Sequence, residues 1–357
     1  MLAQFARRFI ATLFVTLALL GSTPAGAIPM LLVDAATGEV LHDEEAGVPW
    51  HPASLTKLMT AYVAFAAIQA GRITLDTPIK VTQNAWNQAP AKSGLEVGSS
   101  ITLRDALYIM VVKSANDIAV AVGEAVSGSE KQFVAEMNEM AAAMDLTATH
   151  YIDPNGLHDK GQVTSARDLA MLALYIRRDF PQYLPMFGTE AVKLGGRSLE
   201  SNNGLLESFA GTTGMKTGYI CASGLNIVAT VERDGRSLIA VVLGGSSARE
   251  RNELTAQMFL RGLSGALSGS GRSVVSLANI DEEPVNMRQN ICGKKAKAYV
   301  AQRIKDFPMG LKGKPSYLND KIKGVTYEAT DLGITIDNVP LPRPRPNYAP
   351  EAVALAD

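Results

Sequence analysis

The sequence predicts an α+β fold: an antiparallel β-sheet flanked by helices, with a helical subdomain between its strands and a weakly structured C-terminal tail. Three observations predict it. Strand-like runs lie at both ends of residues 28–267, runs with helical spacing fill the middle, and beyond residue 267 the composition turns to Gly, Ser, Lys and Pro. Strands from the two ends must pair across a long intervening stretch, which places the helical cluster against the sheet.

At the start of the chain, Arg7 and Arg8 precede an apolar run from Phe9 to Leu20 that ends at Ala25-Gly26-Ala27. This is the pattern of a secretory signal peptide cleaved after Ala27. The run falls short of the roughly 20 residues that a membrane-spanning helix needs. Next, Met30 to Asp34 and Glu39 to His42 are apolar stretches separated by Ala-Ala-Thr-Gly, a β-hairpin pattern. Trp50-His51-Pro52-Ala53 then leads into a stretch from Ser54 that is apolar nearly all round, which predicts a buried helix with Ser54 at its N-terminal end.

Four helices follow, over Leu103 to Val112, Asp117 to Val126, Glu130 to Met144 and Arg167 to Arg177, separated by Gly, Ser and Asn breaks. Met215 to Tyr219, Leu225 to Glu232 and Ser237 to Gly244 return to strand patterns, the last two joined by Arg233-Asp234-Gly235-Arg236, a hairpin signal. The Lys-rich stretch from Lys294 to Lys323 and Pro340-Leu-Pro-Arg-Pro-Arg-Pro offer few apolar runs for a core. The chain therefore divides into a signal peptide (1–27), a single folded domain (28–267) and a linker with a Lys-rich, then Pro-rich tail (268–357).

Composition narrows the function. With 47% hydrophobic and 19% charged residues in 357, the chain can bury a sizeable core, and a net charge of -1 gives no global attraction to nucleic acid. His42, His51, His150 and His158 make no metal-ligand spacing, and the two cysteines, Cys221 and Cys292, form no C-x-x-C. No cofactor or metal is expected. A bridge between the cysteines and two buried free thiols are both compatible with the sequence.

The chemistry concentrates in three short elements. Ser54-Leu55-Thr56-Lys57 is an S-x-x-K pattern, whose spacing brings both side chains to one helix face. A buried lysine loses its proton affinity and can accept the serine's proton, while the helix start offers a backbone donor to an oxyanion. Ser114-Ala115-Asn116 lies in a break between two helices, where a helix cap would be its ordinary role. Lys216-Thr217-Gly218 opens a strand, where a cation, a hydroxyl and a residue without Cβ suit the docking of an extended peptide.

In this order and these settings, the three elements resemble the low-molecular-mass penicillin-binding proteins, the D-alanyl-D-alanine carboxypeptidases, whose marks are S-x-x-K, S-x-N and K-T-G. The likeness covers roughly Ile28 to Leu267 and extends to Asn155-Gly156-Leu157, Thr164 to Asp168 and Gly214 to Tyr219. It implies a β-lactamase/transpeptidase-like fold and a serine peptidase that removes the terminal D-alanine from peptidoglycan stem peptides. By the resemblance, Ser54 is the nucleophile, Lys57 its base, Ser114 a proton relay and Asn116 a positioning residue. Lys216, Thr217 and Gly218 would bind substrate, and backbone N–H groups of Ser54 and Tyr219 would form the oxyanion hole. Arg249 is a further candidate for the substrate carboxylate, a solvated helix-start arginine being the alternative. β-Lactams would acylate Ser54, and the enzyme would act in the periplasm.

Two other enzymes share these motifs. A β-lactamase of one major class adds an E-x-x-L-N element, which is absent here, and a D-alanyl endopeptidase would use the same catalytic residues. A non-catalytic wall-binding scaffold would not need the intact set. The family often adds a β-rich domain and an amphipathic C-terminal helix; residues 349–357 are instead acidic and follow a Pro-rich stretch, so membrane association stays open.

Overall fold

The computed structural model describes residues 28–267 and 269–333, so the expected signal peptide and the Pro-rich end lie outside the described residues. In chain order, β1 (Met30–Asp34) and β2 (Val40–Glu44) form the expected hairpin. A 3-10 turn, Ala53–Thr56, runs directly into α1 (Lys57–Gln69). Leu58, Met59, Val63 and Phe65 are fully buried, which is why this helix shows no polar stripe.

β3 (Pro78–Lys80) and β4 (Ser100–Thr102) pair as a small sheet ahead of α2 (Leu103–Val112), α3 (Asn116–Ser127) and α4 (Glu130–Ala143). After α5 (Ala166–Asp179) come β5 (Thr189–Leu194) and β6 (Arg197–Glu200), then β7 (Thr212–Ile220), β8 (Gly224–Arg233), β9 (Arg236–Gly245) and α6 (Ala248–Leu263). Serine or threonine side chains cap several helices: Thr102 accepts from the Asp105 N–H, Ser165 from Asp168 and Ser247 from Glu250.

The main sheet is antiparallel in the order β2-β1-β9-β8-β7, so strands from the two ends of residues 28–245 meet at the β1–β9 pairing. Alternation along β9 assigns its faces. Leu238, Ala240 and Val242 pack with Leu254, Met258 and Phe259 of α6, whereas Ile239, Val241 and Leu243 join the core of the helical cluster. The sheet is thus covered on both faces, and its central strands read as nearly continuous apolar runs. β7 remains an edge strand, and its free edge is where the site lies.

The segment 269–333 has little regular structure, namely short turns, α7 (Ala296–Asp306) and β10 (Val325–Ala329), but it is tied to the body throughout. The Ile280 N–H donates to Gly47, Val285 to Pro49 and Met287 to Ala222. Cys221 and Cys292 form a disulfide with Cα atoms 5.6 Å apart. Arg303 pairs with the buried Glu250 at 2.6 Å, and β10 adds in parallel to β5, with Tyr327 stacked on Tyr108 at 3.6 Å. Composition shows too few apolar residues for a separate core; it cannot show that a segment borrows partners from a core already built.

Candidate active site

The site forms where the Ala53–Thr56 turn, the α2–α3 junction and the free edge of β7 converge on a cleft of about 390 Å³. Ser54, Ser114, Asn116, Thr217, Gly218 and Tyr219 all line it. Asn226 of β8 anchors the serine turn from behind, its side-chain amide donating to the carbonyls of His51 and Pro52 at 3.0 and 3.2 Å. Gly218 brings β7 against the same turn: a Cβ there would lie 2.9 Å from Pro52 O and 3.0 Å from Ser54 N. Only glycine lets the strand approach the Ser54 amide so closely.

Lys57 is fully buried. Its Nζ donates to Ser54 Oγ at 2.9 Å, to Asn116 Oδ1 at 2.7 Å and to the Asn155 carbonyl at 2.5 Å. Burial holds its pKa well below the ordinary lysine value, and the nearby Lys216 ammonium pushes it the same way. A lysine so placed can take the proton of a hydroxyl within hydrogen-bond reach.

Ser114 and Asn116 do not spend their side chains on capping α3. The N-cap position falls on Ala115, with no side-chain cap bond. Asn116 instead donates to the Ala89 carbonyl at 2.8 Å while accepting from Lys57. Ser114 has φ +64°, a left-handed conformation uncommon for a residue with a Cβ, at the wall of the cleft.

Lys216 is also buried, with a pKa lowered to about 7 by burial and then by the Arg251 guanidinium. Its Nζ donates to the Thr217 carbonyl at 3.1 Å. Tyr219 is half exposed at the rim, its hydroxyl 3.3 Å from Cys292 Sγ, so the disulfide stands beside the cleft.

Arg249 is not brought to the site. Its guanidinium donates to the carbonyls of Phe307 and Met309 and binds the 269–333 segment. Arg251, two residues on, is the arginine that lines the cleft, buried and bonded to the Asn202 carbonyl at 2.9 Å and to Asn252 at 3.0 Å. The signal was in the helix: buried Leu254, Thr255, Met258 and Phe259 define a stripe that Arg251 extends by i−3 and i−4, while Arg249 lies off it. Asn155 grips Lys57 through its carbonyl, and a backbone acceptor leaves no side-chain signal in the sequence.

A serine in contact with a buried lysine, beside the free edge of an antiparallel sheet covered by helices on both faces, defines the class by fold: the fold of penicillin-binding proteins. The model of the D-alanyl-D-alanine carboxypeptidase family matches residues 23–247. The chain belongs to that family.

Among relatives, the D-alanyl-D-alanine carboxypeptidase DacD of Escherichia coli (strain K12) is 36% identical over 230 residues. That match covers 62% of this chain and 59% of the relative, so the chain spans less than two thirds of that protein's length. The crystal structure of DacD from Francisella tularensis aligns with a TM-score of 0.66 at 26% identity, over 68% of this chain and 72% of that one. Penicillin-binding protein D2 from Listeria monocytogenes, solved in a cefotaxime-bound form, aligns at 0.61 and 27% identity, over 68% of this chain and 99% of that one.

Proposed function

We propose that this protein is a serine-type D-alanyl-D-alanine carboxypeptidase acting on peptidoglycan stem peptides. The observation that carries the reading is the 2.9 Å contact of Lys57 Nζ with Ser54 Oγ, made by a lysine whose pKa burial lowers well below the ordinary value. Ser54 Oγ attacks the carbonyl of the penultimate D-alanine as its proton passes to Lys57, and the developing oxyanion is held by the N–H groups of Ser54 and Tyr219. Ser114 relays a proton to the departing amine, terminal D-alanine leaves, and water hydrolyses the ester on Ser54. Asn116 keeps Lys57 in place. Lys216, Thr217 and Arg251 hold the substrate's terminal carboxylate while its backbone lies along the free edge of β7 over Gly218.

β-Lactams acylate Ser54 by the same attack, a reading supported by the cefotaxime-bound relative. The charged run and small residues before Ile28 support export to the periplasm. Among the described residues no helix is long and apolar enough to cross a membrane.

The test is mass spectrometry after incubation with penicillin, alongside an assay of D-alanine released from a stem pentapeptide. The wild type should show a long-lived adduct and release D-alanine, and Ser54→Ala should do neither. Rapid penicillin turnover without D-alanine release would replace this reading with a β-lactamase.

A further inference from the structure

The turn from Asp153 to Leu157 contains none of the three motifs, yet it reaches the Ser–Lys turn at several points. Lys57 Nζ donates to Asn155 O at 2.5 Å, and Thr60, one helical turn further on, donates to Pro154 O at 2.6 Å. Gln162 Nε2, which donates to Asp153 Oδ1 at 3.0 Å, also reaches Thr56 Oγ1 at 3.2 Å. Gly156 has φ +86°, and a Cβ there would fall 1.9 Å from the carbonyl oxygen of Ala53. The turn is pressed against the residue that precedes the nucleophile.

One side chain organises this turn. Asp153 Oδ1 accepts from the Asn155 N–H at 2.9 Å and from the Gly156 N–H at 2.6 Å, which fixes the peptide carrying the Asn155 carbonyl. Charge adds to geometry. The groups that bear on Lys57 are Lys216, which disfavours its ammonium form, and Asp153 and Asp117, which favour it. Asp117 is occupied by Ser93 and by the Ile118 N–H, whereas Asp153 works on the turn that holds Lys57. Burial raises the Asp153 pKa, opposed by the turn amides and by Lys57 itself.

From this arrangement we propose that Asp153 is a positioning residue for acylation: through the Asn155 carbonyl it sets where Lys57 Nζ lies, and its negative charge offsets that of the Lys216 ammonium. The proposal rests on the acyl-transfer reading above. No covalent step is added; Lys57 still takes the Ser54 proton, and Asp153 decides the pH at which it is free to do so.

The experiment is the pH dependence of the rate of penicillin acylation, followed as the adduct mass in wild type, Asp153→Asn and Asp153→Glu, with folding checked by near-UV circular dichroism. The acid limb marks protonation of Lys57. Asparagine keeps an acceptor for the turn and removes the charge, so Lys57 loses its proton more readily. The acid limb should move down by about one pH unit, with the plateau within about threefold of wild type. Glutamate keeps the charge but displaces the acceptor, so the plateau should fall about tenfold or more while the limb stays nearer its wild-type position. An unmoved acid limb in folded Asp153→Asn overturns the proposal, as does loss of folding in both variants, which would make Asp153 structural. Absence of an adduct on wild type would overturn the functional reading and this inference with it, whereas a wild-type adduct with an unmoved limb overturns the inference alone.

Discussion

Lys57 and Lys216 are both buried in one site, an arrangement that costs folding free energy because each disfavours its charged form. The cost has a pH signature. Lys216 is lowered from 10.5 to about 7, so between those values the unfolded chain binds more protons than the folded one. Stability against urea should therefore rise with pH across that window, the penalty being fully present below about pH 7. Activity should respond in the opposite sense. If cationic Lys216 holds the substrate carboxylate, kcat/KM for D-alanine release in the wild type should fall as pH rises past about 7. Lys216→Arg keeps its charge at any accessible pH and should lose that alkaline limb. A limb unchanged in Lys216→Arg would assign it to another group.

At the scale of elements, the site depends on how closely β7 approaches the Ala53–Thr56 turn. Gly218 carries that contact, and an added methyl meets two backbone atoms that cannot swing away. Gly218→Ala should separate the Tyr219 and Ser54 amides and slow acylation about 10²- to 10³-fold, the scale of a lost oxyanion donor. A burst assay with a chromogenic β-lactam measures it; a near-wild-type rate would place the oxyanion elsewhere.

Where an element is set by local pattern, its bounds were readable. α2 occupies Leu103–Val112 as expected, and the β8–β9 turn has positive φ at both Asp234 and Gly235, the conformation that the Asp-Gly pair favours. β3 to β6 are three to six residues long, too short for the sequence to mark them with such a pattern.

At the scale of the molecule, the 269–333 segment acts as a strap. It follows β1 and β2, is bonded to Cys221 beside the cleft, crosses α6 at Arg303–Glu250 and ends as a strand on β5. The disulfide closes a loop of sequence separation 71, for which chain entropy alone gives about 4 kcal/mol. The Cys221→Ser/Cys292→Ser double variant should therefore melt several degrees lower, and limited proteolysis should cut first within 269–333. Equal melting temperatures with the strap still protected would mean that its hydrogen bonds suffice without the bridge.

The sequence by itself determined the strand–helix–strand order, the helix that buries Lys57, the three motifs and the family they belong to, because each depends on spacing within one turn, one hairpin or one helix face. Only the tertiary structure decided which residues from distant segments meet. It put Arg251 rather than Arg249 in the cleft, joined Cys221 to Cys292, laid the strap on the sheet and brought Asp153 and Asn155 beneath Lys57. These are contacts between residues far apart in the chain, or with backbone carbonyls that have no residue type, and local spacing carries no record of either.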